Sequence, residues 1–493
     1  MNKPIKNCLN FVKKRENIPV IVFCYVLLFG YVLPTLVYID LPYGTDAFTH
    51  LIYTDLMATT NSLNEFYEKN LENGYIGYDY PFGMWMFGSI VSKITGTELF
   101  QLSLLIPFGC LVTLILLYYQ YSSVFNQSKE IRIFSILFLL STPSIVLSIL
   151  GYSTSIFAMF IDVIIIYLLL NKDINIVKRF ILINIFVFLL CITHTGTYLF
   201  MIFLSMTIFL IFAAISGKLH KESYFLTLLI LGYYIVSMQI FPQIHSQYIG
   251  KGRILLSIGE FMSLGPLTMK QILEMFYNQL LVNLSMSFIV FWMSFLFLAG
   301  YLMTWINRYI SKAFKDFRVS IYQALLPAGL TSTISHGPIF WPVWLGPINV
   351  ILAAIGVLRT KNPLILSLII SIPIIALPSG VFAGERALRE LFYMFLIVPP
   401  LSAIGFSTIK EHFSKIKMPK LRSGFAVASY LIILLSITAI PVIGNLYYHQ
   451  NISGSEYEID GMKWLAKIGS SEEGATGPVG ARLAIYSKKI PVK

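Results

Sequence analysis

In the stretch Gly44-Thr45-Asp46-Ala47-Phe48-Thr49-His50 an aspartate and a histidine stand four residues apart, just after Pro42 and Gly44 end the first apolar run. On a helix capped by Thr45 or Asp46, that spacing lets a carboxylate and an imidazole face one spot. Side chains of these types move protons in enzymes. A helix N-cap for Asp46 and an interfacial polar residue for His50 remain the plain alternatives. A second group, Glu385-Arg386-Ala387-Leu388-Arg389-Glu390 with Tyr393 beyond it, sets two guanidinium groups three residues apart on one helical face. Planar guanidiniums suit a phosphate through paired hydrogen bonds, and Glu385 and Glu390 suit them as local ion partners. Gly250-Lys251-Gly252-Arg253 is a third group, basic and glycine-flanked, fit for an anion or for snorkelling to lipid headgroups. His194 and His336 end two apolar runs, as cavity-lining groups or as polar caps.

The elements that must position these groups are set by composition. Of 493 residues 56% are hydrophobic and 12% charged, with a mean hydropathy of +0.74. Those values lie outside the range of soluble domains and define an all-α polytopic membrane protein. A hydrocarbon core of about 30 Å takes about 20 apolar residues per helix. Runs near 19–38, 99–121, 133–150, 153–170, 180–194, 196–216, 223–243, 284–306, 319–335, 340–358, 363–378, 390–409 and 424–446 meet that need. They make about 13 transmembrane helices.

Basic residues orient this array. Under those spans, Lys3 to Arg15, Lys129 and Arg132, Lys172 to Arg179, Lys218 and Lys221, Arg308 to Arg318, Arg359 and Lys361, and Lys410 to Arg422 supply 23 on one side. The other side holds seven before the C-terminal tail: Lys69, Lys93, Lys251, Arg253, Lys270, Arg386 and Arg389. The positive-inside rule then places the N-terminus in the cytoplasm and the C-terminus outside the cell membrane. The net charge of +12 is an orientation signal and an attraction to anionic lipid, so no nucleic-acid partner is expected. The first apolar run reads as an uncleaved helix. Cys8, Cys24, Cys110 and Cys191 fall in the inner tail or within spans, which leaves no outward disulfide framework.

Residues 1–446 thus form one membrane domain, with an outward loop at 39–98, and 447–493 form a short outward tail. Within the loop, Ala47 to Leu63 is expected as an interfacial helix. Glu65, Glu68 and Glu72 read as a solvated face, and a second interfacial helix opens at Tyr80-Pro81-Phe82-Gly83 and ends at Gly96. The tail predicts a short helix over Tyr457–Leu465 and a strand at Arg482–Tyr486. Asp162 is the one charged residue placed inside the bilayer, expected to hydrogen-bond a neighbouring helix.

Gly44 to His50, Tyr80-Pro81-Phe82-Gly83 and the stretch Arg386 to Pro400, spread over many spans, resemble the type C glycosyltransferases. These polytopic enzymes include protein O-mannosyltransferase-like and lipid A aminoarabinose transferase-like proteins. The resemblance implies transfer of a sugar from a polyprenyl phosphate, such as dolichyl or undecaprenyl phosphate, to a glycan, lipid or protein acceptor. It also implies Asp46 as general base and Arg386 or Arg389 at the lipid-linked phosphate, with Asp40 or Asp55 as acids that can share the role of Asp46. His50, Asp55, Tyr80, Lys251, Arg253, Glu385, His194 and His336 complete the candidate substrate-binding set. No cofactor is called for, and no metal-ligand cluster is visible in the sequence. A transporter or flippase, and a polysaccharide polymerase or ligase, are the competing readings of such a chain.

Overall fold

The computed structural model describes residues 18–33, 45–72, 82–142, 145, 152–240, 293–307, 347–383 and 392–415. Among them every regular element is helical. Helix α1, Ile18–Leu27, runs into a π turn at Leu28–Val32. Next come α2 Thr45–Thr59, α3 Leu63–Glu72 and α4 Gly83–Thr95. The chain continues through α5 Leu99–Phe125, α6 Lys129–Leu140, α7 Thr154–Leu170, α8 Ile176–Thr193, α9 Thr195–Ser216 and α10 Lys221–Ile240. Further on lie α11 Met293–Asn307, α12 Pro347–Arg359, α13 Pro363–Ala383, a 3-10 turn Phe392–Leu396 and α14 Val398–Ser414. The spans expected at 319–335 and 424–446, and the tail helix and strand, lie outside the described residues.

Among the described residues three helices are long and apolar enough to cross a membrane: Gln101–Phe125, Ile176–Thr193 and Gly196–Ser216. Apolar side chains on the outside of α8, among them Ile176, Val177, Phe180 and Ile185, match a surface that meets lipid tails. Its opposite stripe, Ile183, Val187 and Leu190, is buried against the bundle. Two glycines end helices in the left-handed region, Gly96 at φ 68° and Gly217 at φ 66°, where a Cβ is disfavoured.

With little hydrophobic force between helices in lipid, close backbone approach and polar links must hold the bundle. Helices α12 and α14 show both. A Cβ on Gly356 would sit 2.0 Å from the Leu401 carbonyl oxygen, and one on Gly405 would sit 1.9 Å from that of Leu352. Ser402 donates to the Asn349 carbonyl at 2.7 Å, and Asn349 Nδ2 reaches Thr142 of the chain after α6 at 3.3 Å. Tyr118 and Tyr121 of α5 donate to the carbonyls of Phe395 and Leu396, at 2.5 and 2.6 Å, and so fix the 3-10 turn that starts α14.

Ends of helices that carry basic residues lie together. Lys410 pairs with Glu130, and Arg179 stands 3.6 Å from Glu222 beside the buried His220. Asn307 donates to the Ala214 carbonyl beside Gly217.

The structure corrects two expectations. The interfacial helix that begins at residue 45 stops at Thr59 instead of reaching Leu63, because Thr60-Asn61-Ser62 turns the chain. Ser62 Oγ then accepts from the Glu65 N–H at 3.2 Å, and Glu65 accepts from the Asn61 N–H at 2.8 Å. That reciprocal box starts α3. Glu65 also pairs with Lys69 at 2.7 Å, which holds its carboxyl below the usual range, while Glu68 is exposed as expected. Asp162, expected to hydrogen-bond a neighbour, is fully buried with neither carboxylate oxygen bonded. Helix α7 is apolar nearly all round, and no donor among the described residues reaches that position.

Candidate functional site

Helix α2 carries Asp46 in its first turn and His50 one turn later. Ala47 and Leu51 are buried with Met84 of α4 and with Leu102 and Ile106 of α5, which seats α2 on the membrane bundle. The neighbouring stripe, His50, Tyr53 and Met57, turns to α4, where Trp85 is wholly buried. Trp85 Nε1–H donates to His50 Nδ1 at 3.0 Å. An indole N–H is only a donor, so Nδ1 is the accepting nitrogen and a neutral His50 carries its proton on Nε2. Around the indole, Tyr53 and Phe66 stand at ring-centroid distances of 4.4 and 5.7 Å and set its plane.

A second link ties α2 to the start of α7. Thr54 Oγ1 lies 2.8 Å from the Tyr152 hydroxyl and also donates to the His50 carbonyl at 2.8 Å. The crossing needs Gly88 of α4: a Cβ there would meet the Tyr152 hydroxyl at 2.2 Å and Thr54 Cγ2 at 2.9 Å.

The N-terminus of α4 docks on the α8–α9 junction. A Cβ on Gly83 would come within 2.8 Å of the Ile192 carbonyl oxygen and 3.0 Å of Thr193 Oγ1. The next residue is His194, half-buried, which ends α8 and caps α9. Its Nδ1 accepts from the Thr197 N–H at 3.0 Å and lies 2.8 Å from Thr197 Oγ1. Thr197 Oγ1 in turn lies 2.7 Å from the hydroxyl of Tyr393, whose ring stacks on Phe200 at 3.6 Å. Elements about 110 to 350 positions apart therefore converge: the α2–α4 pair, the α8–α9 junction and the 3-10 turn holding Tyr393.

Of the sequence candidates, His50 and His194 are joined to this assembly. Asp55 is on α2 with an exposed side chain. Asp46 is placed by its backbone alone. Tyr80, Lys251, Arg253, His336, Glu385, Arg386 and Arg389, with Asp40, lie outside the described residues. Among the described residues no three His, Cys, Asp or Glu side chains gather as a metal site. Trp85, Thr54, Tyr152, Thr197 and Tyr393 were not picked out as site residues from the sequence. Trp85 lies in the helix that opens at Gly83 and Tyr393 just beyond the Glu385–Glu390 group, and their polar tips are the available signal.

Among the described residues the chain is an all-helical bundle with the α2–α4 pair packed on it, a fold similar to that of solved type C glycosyltransferases. The chain is similar to solved structures of oligosaccharyltransferases. One is the Archaeoglobus fulgidus oligosaccharyltransferase in complex with Zn and sulfate, at a TM-score of 0.56 and 12% identity over 96% of this chain and 62% of that one. Another is AglB from the same organism with an inhibitory peptide and a dolichol-phosphate, at a TM-score of 0.53 and 13% identity over 95% of this chain and 64% of that one. The chain thus spans under two thirds of the length of these proteins. The chain is more weakly similar to ArnT from Cupriavidus metallidurans, at a TM-score of 0.38 and 9% identity over 96% of this chain and 85% of that one. No protein-family model and no curated protein matches the sequence.

Proposed function

We propose that the protein is an integral-membrane glycosyltransferase that moves a sugar from a polyprenyl phosphate to an acceptor hydroxyl on the outer face of the cell membrane. The observation that carries this reading is the fold, shared with an oligosaccharyltransferase whose structure holds a dolichol-phosphate. The convergence of α2, α4, the α8–α9 junction and Tyr393 supports it, because it puts Asp46, His50 and His194 on elements that meet.

In the reaction, Asp46 accepts the proton of the acceptor hydroxyl as its oxygen bonds to the anomeric carbon. The bond from that carbon to the phosphate oxygen breaks, and polyprenyl phosphate leaves with the electron pair. One displacement inverts the anomeric centre. Arg386 or Arg389, aided by Lys251 or Arg253, takes up the negative charge that grows on the phosphate. Glu385, Tyr80 and His336 complete the proposed substrate-binding set. The basic-residue count supports a cytoplasmic N-terminus, an outward C-terminus and about 13 spans. An apolar groove between helices suits the polyprenyl chain.

The test is transfer by purified protein in nanodiscs, offered sugars on polyprenyl phosphate and on polyprenyl diphosphate. Transfer from the monophosphate is expected. Use of the diphosphate alone would replace this reading with a polymerase or ligase. A transport reading draws on Asp162, a buried acid without a hydrogen bond. Uptake of solute by proteoliposomes lacking any sugar donor would favour it.

A further inference from the structure

At the ends of α8 and α9 remote from His194, a carboxylate faces two buried donors and bonds neither. Glu222 Oε2 stands 3.5 Å from His220 Nε2, and Oε1 stands 3.6 Å from Arg179 Nη2, both longer than a good hydrogen bond. His220 stands just ahead of α10, where its Nδ1 accepts from the Ser223 N–H at 3.2 Å, so the neutral imidazole carries its proton on Nε2. The residue is 4% exposed, and among the described residues no acceptor bonds that Nε2–H. Arg179, 7% exposed, is anchored by Nη1, which donates to the Asn171 carbonyl at 3.1 Å and leaves Nη2 turned to the same carboxylate. The Glu222 side chain is 35% exposed, so it can turn outward into solvent.

The surroundings of this spot favour an anion. Partial burial opposes ionisation of Glu222, yet its own backbone N–H and the nearby His220, Arg179 and Lys172 hold its carboxyl below the usual range. Lys172, Lys178 and Lys221, close to these residues in the chain, are exposed. Arg179 lies in the first turn of α8, a helix long and apolar enough to cross a membrane, which sets it at the level of lipid headgroups. Around it Ile176, Val177, Phe180 and Ile181 are exposed, a surface suited to acyl chains. We propose that Arg179 and His220 form a binding site for a phosphate group, with Glu222 as the internal anion that the phosphate displaces. A phosphate oxygen can approach both donors to about 2.7–3.2 Å, which the carboxylate does not do. The apolar stripe favours a phosphate carried by a lipid over the free anion. Arg179 and His194 are separated by about 22 Å of α8, so this site is distinct from the candidate active site.

The test follows thermal unfolding of the full chain in maltoside micelles, which hold no phosphate, with phosphatidate, diacylglycerol of the same acyl chains, or inorganic phosphate added. Native mass spectrometry counts the lipid retained. Phosphatidate is expected to raise the midpoint saturably, and diacylglycerol to leave it in place. Arg179→Gln should weaken phosphatidate binding about tenfold or more, and Lys172→Gln, at an exposed position, about threefold. Glu222→Gln removes the competing anion and should tighten binding about tenfold. The Glu222→Gln and Lys172→Gln arms decide even where Arg179→Gln does not fold. A response to inorganic phosphate that the lipid does not exceed would keep the phosphate site and assign it to the free anion. Equal responses to phosphatidate and diacylglycerol, or Glu222→Gln binding phosphatidate no more tightly than wild type, would overturn the proposal and leave the cluster as an ion pair within the bundle.

Discussion

Trp85 Nε1–H donates to His50 Nδ1 at 3.0 Å, and this bond joins helices α2 and α4 through an imidazole one turn from Asp46 in the helical register. Trp85→Phe keeps a large ring against Tyr53 and Phe66 but leaves Nδ1 without its donor. An unmet half-buried acceptor costs about 1–3 kcal/mol. Transfer is expected to slow by about tenfold, while the protein still inserts and purifies. Undiminished transfer by the variant would remove His50 from the site.

Gly88 marks how closely α4 lies on α2 and Tyr152. Gly88→Ala drives a methyl into the Tyr152 hydroxyl and Thr54 and should lower stability by about 1–3 kcal/mol. Thermal unfolding in detergent reads this. Pairing Gly88→Ala with Tyr152→Phe should recover part of the loss, since the phenol oxygen is the nearest obstacle.

The α12–α14 crossing makes a sharper contrast. At Gly405 the obstacle is a backbone carbonyl, which cannot swing aside, so Gly405→Ala should destabilise by about 3 kcal/mol or more. Gly109, in the middle of α5, has nothing within 4 Å of a built Cβ. There, Gly109→Ala should leave stability unchanged or raise it by about 0.5–1 kcal/mol through helix propensity. Equal unfolding midpoints for the two variants would contradict the packing described.

His220 supplies the pH dependence. Burial pushes its imidazole down to about 4, opposed by Glu222 at 3.5 Å and reinforced by Lys172 and Arg179. The unfolded chain, with an ordinary value near 6.5, therefore binds the proton first as the medium is acidified. His220 leaves stability untouched above pH 6.5 and erodes it between pH 6.5 and 4. The unfolding midpoint should fall over that range in wild type and fall less in His220→Gln; identical slopes would exclude His220 as the cause.

Much of the fold was legible because period and length are strong signals in lipid. The runs at 99–121, 180–194 and 196–216 became α5, α8 and α9, and Gly96 ended α4 where its freedom at positive φ required. The break at Thr60 was missed because the capping box at Ser62 and Glu65 competes with an otherwise continuous helical pattern. At the site, His50 stands out by its spacing to Asp46 and His194 as a titratable residue at the end of an apolar run. Their fixers Trp85, Thr197 and Tyr393 do not, since a hydroxyl or indole acquires a role only from a partner that the fold brings in from far along the chain. The same holds for Asp162, whose oxygens are left without a hydrogen bond by what the fold packs around them and not by anything in the local sequence.

The central claim is most directly tested by measuring sugar transfer from a polyprenyl phosphate donor by wild type and Asp46→Asn in matched nanodiscs. Asparagine keeps the size of residue 46 and removes its capacity to take a proton. A fall in kcat of about 10²–10⁴ with intact thermal stability is the expected result. Near wild-type turnover by Asp46→Asn would contradict the account.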